Sequence, residues 1–425
     1  MTKYFLINLF FKPPKYFSII LLIVLCLFHL RYGVIPAWSN LNSDFPNYYT
    51  SSKLLLEGKD LSKIYDDKWF QQRINEYGID EIGKFSPFPP PTVFVIIPEA
   101  LLNPLTAKRI YLLINIFVLI ITALLFKKIS NFSFIISLNF ILLSGAALIN
   151  NLLLGQFYLI LLLLITLGYY YVKSEKEMMS GTFLGIGAAI KYFPLIFIPT
   201  LLMKKKNKTA VVLLLTIFSI NLIALFFFGM NVYFEFINKV FISHLNGELS
   251  NQSKYAVQFQ SWNSFLNNLF IYNSIENPTP LVSSPLLFTV AKIFIYLFFI
   301  TITTCTMIKI RNDKDFISKG ISLSCIIVFV LSPASASYHL LLLSLPVLLL
   351  IDNSFNEMKQ NYSLIFLTLY VVTGFIPFVM NKINIDSSGL FFFYYRLWLM
   401  VLFFFTTVWY LLPKGGKQNE VKAAV

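Results

Sequence analysis

The stretch LTAKRIYLLINIFVLIITALLFKK, residues 105–128, decides the architecture. Leu112–Phe126 is a near-continuous apolar run, and it ends on Lys127 and Lys128. A helix needs roughly 17–25 apolar residues to cross a bilayer core, and lysines directly after such a run mark the cytoplasmic side. Comparable runs recur at Phe17–Leu30, Leu159–Val172, Val211–Phe228 and Leu397–Leu412. Composition agrees. The 425 residues are 57% hydrophobic and 13% charged, with mean hydropathy +0.71, whereas a soluble domain carries about 25% charged residues. The 45 Phe and 23 Tyr suit lipid-facing surfaces and interfacial belts. The fold class is therefore an all-α polytopic membrane protein.

A net charge of +14 invites a nucleic-acid reading, but the lysines stand in short clusters between apolar runs. Such clusters fix topology or touch anionic head groups, and no basic stripe with interleaved aromatics marks a soluble nucleic-acid surface. Cys26, Cys305 and Cys325 lie in apolar runs without CxxC spacing, which reads as packing rather than a disulfide framework or metal site. Lys3 and Lys12 precede the first run with no small-residue cleavage site after it, so a retained first helix is expected.

The positive-inside rule then sets a path. Lys3, Lys12 and Lys15 place the N-terminus in the cytoplasm, and the first helix, near Tyr16–Tyr32, delivers residues 33–91 as a first external loop of mixed charge. Thr92–Leu102, framed by Pro89–Pro91 and Pro104, is too short to span and reads as a half-helix. Leu105–Phe126 runs in, Phe132–Asn150 out, and Leu152–Val172 in. Residues 178–203 carry basic clusters at both ends, so they read as a re-entrant hairpin broken at Lys191-Tyr192-Phe193-Pro194, since proline ends the helical ladder. After Val211–Gly229, residues 230–284 form a second external loop. Four more segments, Leu286–Ile308, Ile321–Leu331, Leu340–Ile351 and Leu364–Met380, lead to Phe391–Leu412 and a cytoplasmic tail, 413–425. One membrane domain over 1–425 results, a bundle of about 10–13 membrane helices with both termini inside. No internal repeat is visible, which counts against the common secondary-transporter folds.

Polar groups beside apolar segments are costly and point to function. On this path Asp44, Asn150, Asn151, Gln156, Lys191, Tyr338, His339 and Arg396 gather on the outer side. Plainer roles stand beside this one. Asp44 is placed to cap the helix of an amphipathic stretch Tyr48–Leu56. Asn151 and Gln156 are placed to satisfy helix ends, and Arg396 and Lys191 to snorkel to head groups. His29 and His244 read as structural. Asp313-Lys314-Asp315 has the DxD spacing of some metal–nucleotide sites but lies on the inner side among basic residues, and reads as a decoy.

Several stretches resemble glycosyltransferase family 87, the polyprenyl-phosphate-mannose-dependent mannosyltransferases of the GT-C superfamily. Ser43-Asp44-Phe45 with Tyr48-Tyr49, Leu56-Glu57-Gly58 and Ile64-Tyr65-Asp66 is similar to the family's first external loop. Phe88-Pro89-Pro90-Pro91, Leu154-Gly155-Gln156, Gly181–Pro194 and Leu331-Ser332-Pro333 with Tyr338-His339 follow in the family's order, so the resemblance covers roughly residues 40–345. The chain departs from the pattern at Phe157-Tyr158, and Asn251-Gln252-Ser253 matches the second-loop segment only loosely.

The resemblance implies a GT-C-like bundle whose first external loop carries the catalytic carboxylate. It implies an inverting hexosyltransferase, with mannose inherited from the family, acting at the outer face of a bacterial-type plasma membrane. The donor would be a polyprenyl-phosphate sugar, the acceptor a hydroxyl of a glycolipid or glycan, and membrane lipids the surroundings. Asp44 takes the role of general base. Lys191 and Arg396 are expected to stabilise the leaving phosphate without a metal or other cofactor. Tyr48, Tyr49, Asp66, Asn151, Gln156, Trp262 and His339 complete the expected substrate-binding set. Two other classes remain open at this point. A polysaccharide polymerase or ligase would be expected to use a large loop rich in arginine and histidine, but 230–284 has no arginine and only His244. A transporter or flippase of lipid-linked sugars would place charges at the midplane.

Overall fold

The computed structural model describes residues 14–42, 44–245, 253–380 and 389–412, and every regular element among them is helical. The chain runs through α1 (Lys15–Ser39), α2 (Phe45–Leu56), α3 (Asp67–Glu76), α4 (Pro104–Ile129) and α5 (Phe134–Leu142). It continues through α6 (Ala146–Leu154), α7 (Tyr158–Lys173), α8 (Glu177–Ile190), α9 (Asn207–Phe228) and α10 (Trp262–Phe270). Last come α11 (Pro285–Ile310), α12 (Phe316–Leu331), α13 (Ser337–Asn356), α14 (Gln360–Met380) and α15 (Tyr395–Leu411). Shorter helical turns join them. The expected N-terminal lysines Lys3 and Lys12, Ser43, Asn251-Gln252 and the 413–425 tail lie outside the described residues.

The 10–13 expected membrane helices take a less regular form. Six helices, α1, α4, α9, α11, α13 and α14, are long and apolar enough to cross a membrane, and the α5–α6 pair makes a seventh if counted as one broken span. Five shorter apolar helices accompany them, including α7, α8, α12 and α15. Local signals explain α4: Asn103 caps it by accepting from the Thr106 N–H at 2.9 Å, Pro104 opens it, and Lys127 and Lys128 close it. Leu214, Leu215, Phe218, Leu222 and Phe226 on α9, with Phe294 and Leu297 on α11, stay exposed, as a lipid-facing surface demands. By contrast Leu341, Leu343, Leu345, Val347, Leu348 and Leu350 bury α13 on all sides. It is a central helix wrapped by protein.

Three expectations are corrected. Phe132–Asn150 is not one straight helix: α5 and α6 meet at 76°. Gly145 sits at the bend with φ +55°, and a Cβ there would come within 2.4 Å of the Gly374 carbonyl oxygen on α14. A left-handed residue pressed on another backbone has to be glycine. Thr92–Leu102 is not an α half-helix but two 3₁₀ turns, Pro90–Ile96 and Glu99–Leu101, with Pro98 between them lacking the N–H that a continuous α-helix would use there. The Tyr48–Leu56 stretch is not an amphipathic surface helix, since α2 is buried from Phe45 to Ser52 and packs on the Pro90–Ile96 turn. Ile64, Phe70, Ile74, Ile79 and Phe85 are buried with it and belong to the same continuous core as the bundle. Burying such a side chain from water stabilises by about 1.5–3 kcal/mol.

The break in 178–203 is where the proline rule puts it. α8 stops at Ile190, Lys191 is extended, and a 3₁₀ turn over Phe193–Phe197 leads into the short helix Ile198–Met203. Both basic clusters meet at one end: the Lys206 ammonium bonds Glu175 and lies 3.9 Å from Glu177, which also accepts from the Thr209 N–H at 3.3 Å. Asp313 of the DxD stretch accepts from Lys319 at 2.5 Å, and Lys319 pairs with Glu357 at 2.6 Å, an ion cluster that ties the start of α12 to the end of α13.

Candidate active site

Asp44 stands immediately before α2, yet its carboxylate caps nothing. It accepts instead from the Gln156 side-chain N–H at 2.7 Å, while the Gln156 carbonyl oxygen accepts from the Tyr48 hydroxyl, also at 2.7 Å. Both ends of the amide are thereby assigned, since a carboxylate needs a donor and a phenol an acceptor. Tyr48 is fully buried one turn below Asp44, and that burial, with the Asp44 charge beside it, pushes its hydroxyl well above its ordinary pKa. It remains a donor. Burial likewise raises Asp44 above the ordinary carboxylate range; the Gln156 hydrogen bond and the charges of Lys108 and Lys191 oppose the rise without cancelling it.

The turn that presents Gln156 is held tightly. α6 ends on Gly155 in the left-handed conformation, φ +67°, where a Cβ would fall 2.9 Å from Phe45 and from the Lys108 ammonium. The Asn151 side-chain oxygen accepts from the Tyr158 N–H at 3.0 Å, and its amide donates to Asn115 at 3.3 Å. The Gln156 N–H donates to the Asn151 carbonyl at 2.8 Å. Asn151 is fully buried and staples the turn rather than facing open space.

Asp44, Gln156, Lys191 and His339 line one cavity of about 930 Å³. Lys191 reaches it because the chain is extended there, and its ammonium lies 5.2 Å from the centre of the Phe88 ring. His339 accepts from the Ala336 N–H at 3.2 Å through Nδ1, and its ring packs 4.8 Å from Tyr158. The cavity has two kinds of wall. Phe193, Val328, Phe329, Leu331 and Leu342 make an apolar one; Asp67, Lys68, Gln71 and Gln72 of α3 make a polar one.

Tyr338, from the expected outer cluster, also lines the cavity, whereas Tyr49, Asp66, Trp262, Arg396 and Asn150 lie outside this lining. The Tyr49 hydroxyl donates to the Leu102 carbonyl at 2.7 Å and pins α2 to the Glu99–Leu101 turn. Asp66 caps α3, accepting from the Lys68 and Trp69 N–H groups at 3.0 and 3.1 Å. Trp262 packs with Trp398 at 5.5 Å and Phe299 at 6.3 Å, joining α10, α11 and α15. Arg396 is buried; its guanidinium donates to the Gln258 carbonyl, and its N–H to the Gln260 side chain at 2.7 Å. That grip holds the segment whose Phe259 lines the cavity. Asn150, from the same expected cluster, donates to the Ser337 hydroxyl at 2.6 Å and links α6 to α13.

Two residues went unrecognised in the sequence. His244, read as structural, lines the cavity; burial and then the Lys191 charge pull its imidazole down to about 4, so the ring is neutral. Lys108 is wholly buried beside Asp44. The signal for it was a lysine just past the first turn of the apolar helix that Pro104 opens. No group of three or more His, Cys, Asp or Glu able to hold a metal occurs among the described residues.

Residues 87–333, more than half of the chain, match the model of glycosyltransferase family 87. Gln156 and Lys191 fall inside the matched stretch, whereas Asp44 precedes it and His339 follows it. No curated protein and no solved structure matches the chain.

Proposed function

The chain belongs to glycosyltransferase family 87 and is a membrane glycosyltransferase; from that premise we propose that it moves a hexose, mannose by family inheritance, from a polyprenyl-phosphate donor to a hydroxyl of a glycolipid or glycan acceptor. The reaction takes place at the outer face of a bacterial-type plasma membrane. One observation carries the reading: a carboxylate and an ammonium, Asp44 and Lys191, line the same cavity between an apolar and a polar wall.

The apolar wall at Phe193, Val328, Phe329 and Leu342 suits the first isoprene units of the donor, and Lys191 suits its phosphate. The acceptor hydroxyl attacks the anomeric carbon from the face opposite the phosphate. Its proton passes to the Asp44 carboxylate as the new C–O bond forms, and the bond from the anomeric carbon to the phosphate oxygen breaks with its electron pair. Polyprenyl phosphate leaves with one more negative charge, and Lys191 stabilises that charge where water is scarce. A single displacement inverts the anomeric centre. Gln156, held by Tyr48, keeps the carboxylate oriented, which conserves the near-attack geometry.

The polar α3 wall receives the acceptor. Lys68 and Gln72 stand four residues apart on one helix face, both exposed, and offer donors and an acceptor to sugar hydroxyls.

The test uses purified protein in nanodiscs, a panel of polyprenyl-phosphate hexoses and a membrane glycolipid extract, with products read by mass spectrometry. Addition of one hexose, lost in Asp44→Asn, supports the reading. Absence of glycoside formation with every donor, together with flux of lipid-linked sugar across reconstituted vesicles, would replace it with transport.

A further inference from the structure

Lys108 is fully buried on α4, with an ammonium that has to find partners there. It donates to two main-chain carbonyls, Leu153 at 2.8 Å and Leu41 at 3.1 Å, and lies 5.2 Å from the centre of the Phe45 ring. Neither carbonyl has an intrahelical partner to expect. Leu153 is in the last turn of α6, where carbonyls are orphaned and the helix dipole favours a cation, and Leu41 is in the link between α1 and α2. Each stands three residues before a member of the catalytic pair: Leu41 before Asp44, Leu153 before Gln156. The Asn42 amide, in a residue with φ +57°, adds a further bond to the Leu153 carbonyl at 2.8 Å. Gly155 leaves the space the ammonium occupies, since a Cβ there would lie 2.9 Å from it.

We propose that Lys108 is a positioning residue for the transfer reaction: its ammonium fastens the segment that carries Asp44 to the turn that carries Gln156, and so fixes the carboxylate–amide pair on which the base depends. The proposal rests on the reading of Asp44 as that base. Its charge has a second consequence. The groups facing Asp44 are Lys108 from α4, Lys191 after α8, and the phenols of Tyr48, Tyr158 and Tyr338. The phenols stay neutral, so the two lysines are the cations that favour the ionised carboxylate. Removing one lets Asp44 take up its proton at a higher pH.

The experiment compares Lys108→Met and Lys108→Arg with the wild type in nanodiscs, measuring kcat, donor KM and the acid limb of the pH–rate profile, with Asp44→Asn alongside. Lys108→Met, which removes charge and donors, is expected to lower kcat by about 10- to 100-fold, the range for a hydrogen bond to a charged group. It should move the acid limb to higher pH and change donor KM far less than kcat. Lys108→Arg keeps charge and donors, and its acid limb should coincide with that of the wild type. Wild-type kcat in Lys108→Met, or a lowered rate with an unmoved acid limb, overturns the proposal and leaves a packing role. If Lys108→Met yields no folded protein, Lys108→Arg decides: a folded variant with its acid limb displaced upward overturns it. Transfer retained in Asp44→Asn would remove the base, and the proposal with it. A silent Asp44→Asn beside an unaffected Lys108→Met removes the positioning role alone.

Discussion

Gln156 joins Asp44 to Tyr48 through the two ends of one amide, each at 2.7 Å. The carboxylate therefore takes its orientation from a turn far along the chain and from a phenol buried beneath it. Gln156→Leu removes the donor and leaves the Tyr48 hydroxyl buried without its acceptor. A fall in kcat of about 10- to 100-fold is expected from the lost charge-assisted bond. Gln156→Glu should behave differently, because it sets a second carboxylate against the first, and one of two such groups holds a proton. Its acid limb should lie above that of Gln156→Leu. Equal acid limbs in the two variants would show that residue 156 does not face Asp44 in the working enzyme.

Asp44→Asn separates chemistry from folding. General-base catalysis contributes about 10²–10⁴-fold, and the loss in kcat should fall in that range while donor binding persists. Stability should move the other way. The folded-state pKa of Asp44 is raised by burial, so the unfolded chain ionises first as pH rises, and folding stability falls through the interval up to the folded pKa. Asparagine carries no such cost. Thermal midpoints in detergent should show Asp44→Asn no less stable than the wild type at neutral pH, with its advantage shrinking as pH falls through the interval. The wild-type rate should fall with acid at a higher pH than an ordinary carboxylate, about 3.9, would give. A variant clearly less stable at neutral pH would mean that the ionised carboxylate is a structural asset.

The acceptor orientation makes its own demand on α3. Lys68→Ala combined with Gln72→Ala leaves Asp44, Gln156 and Lys191 in place and changes only the polar wall. Acceptor KM should rise several-fold while donor KM and the rate of donor hydrolysis by water stay near wild type. If donor KM rises instead, the donor sugar occupies that wall and the two substrates are reversed.

What was legible in the sequence follows from the range over which each feature is encoded. The α4 span, the break at Lys191-Tyr192-Phe193-Pro194 and the Gly155-Gln156 turn are written in neighbouring residues: an apolar run with end charges, a proline, a left-handed glycine. Asp44, Gln156, Lys191 and His339 sit at such local interruptions, and the fold gathers them around one cavity. Tyr49 and Asp66 came from the resemblance and Trp262 and Arg396 from residue type, and which way such side chains face depends on how helices rotate against distant partners. Trp262 is turned by Trp398, and Arg396 by Gln258 and Gln260. Lys108 carried a signal in its place on an apolar helix, but its role did not: its partners, the Leu41 and Leu153 carbonyls, are main-chain atoms that carry no sequence signature.

The α5–α6 bend was unreadable on the same grounds, and its cause is testable with glycines. Gly374 lies inside α14, where alanine would ordinarily gain about 1 kcal/mol of helix propensity. A Cβ there would stand 2.5 Å from the Leu143 carbonyl oxygen and 2.9 Å from Ser144, both main chain and unable to step aside. Overpacking of this kind costs about 1–3 kcal/mol, so Gly374→Ala should destabilise despite the better helix former. Gly145→Ala adds a second penalty, because φ +55° with ψ −115° lies outside the regions open to an L-residue and its Cβ meets the Gly374 oxygen at 2.4 Å. Gly58 has φ +63° with nothing within 4 Å, so Gly58→Ala meets no neighbour and should cost least. Thermal midpoints in detergent should therefore fall furthest for Gly145→Ala. A Gly374→Ala protein as stable as the wild type would mean that α14 can withdraw from the bend, and that the 76° angle is set by Gly145 alone.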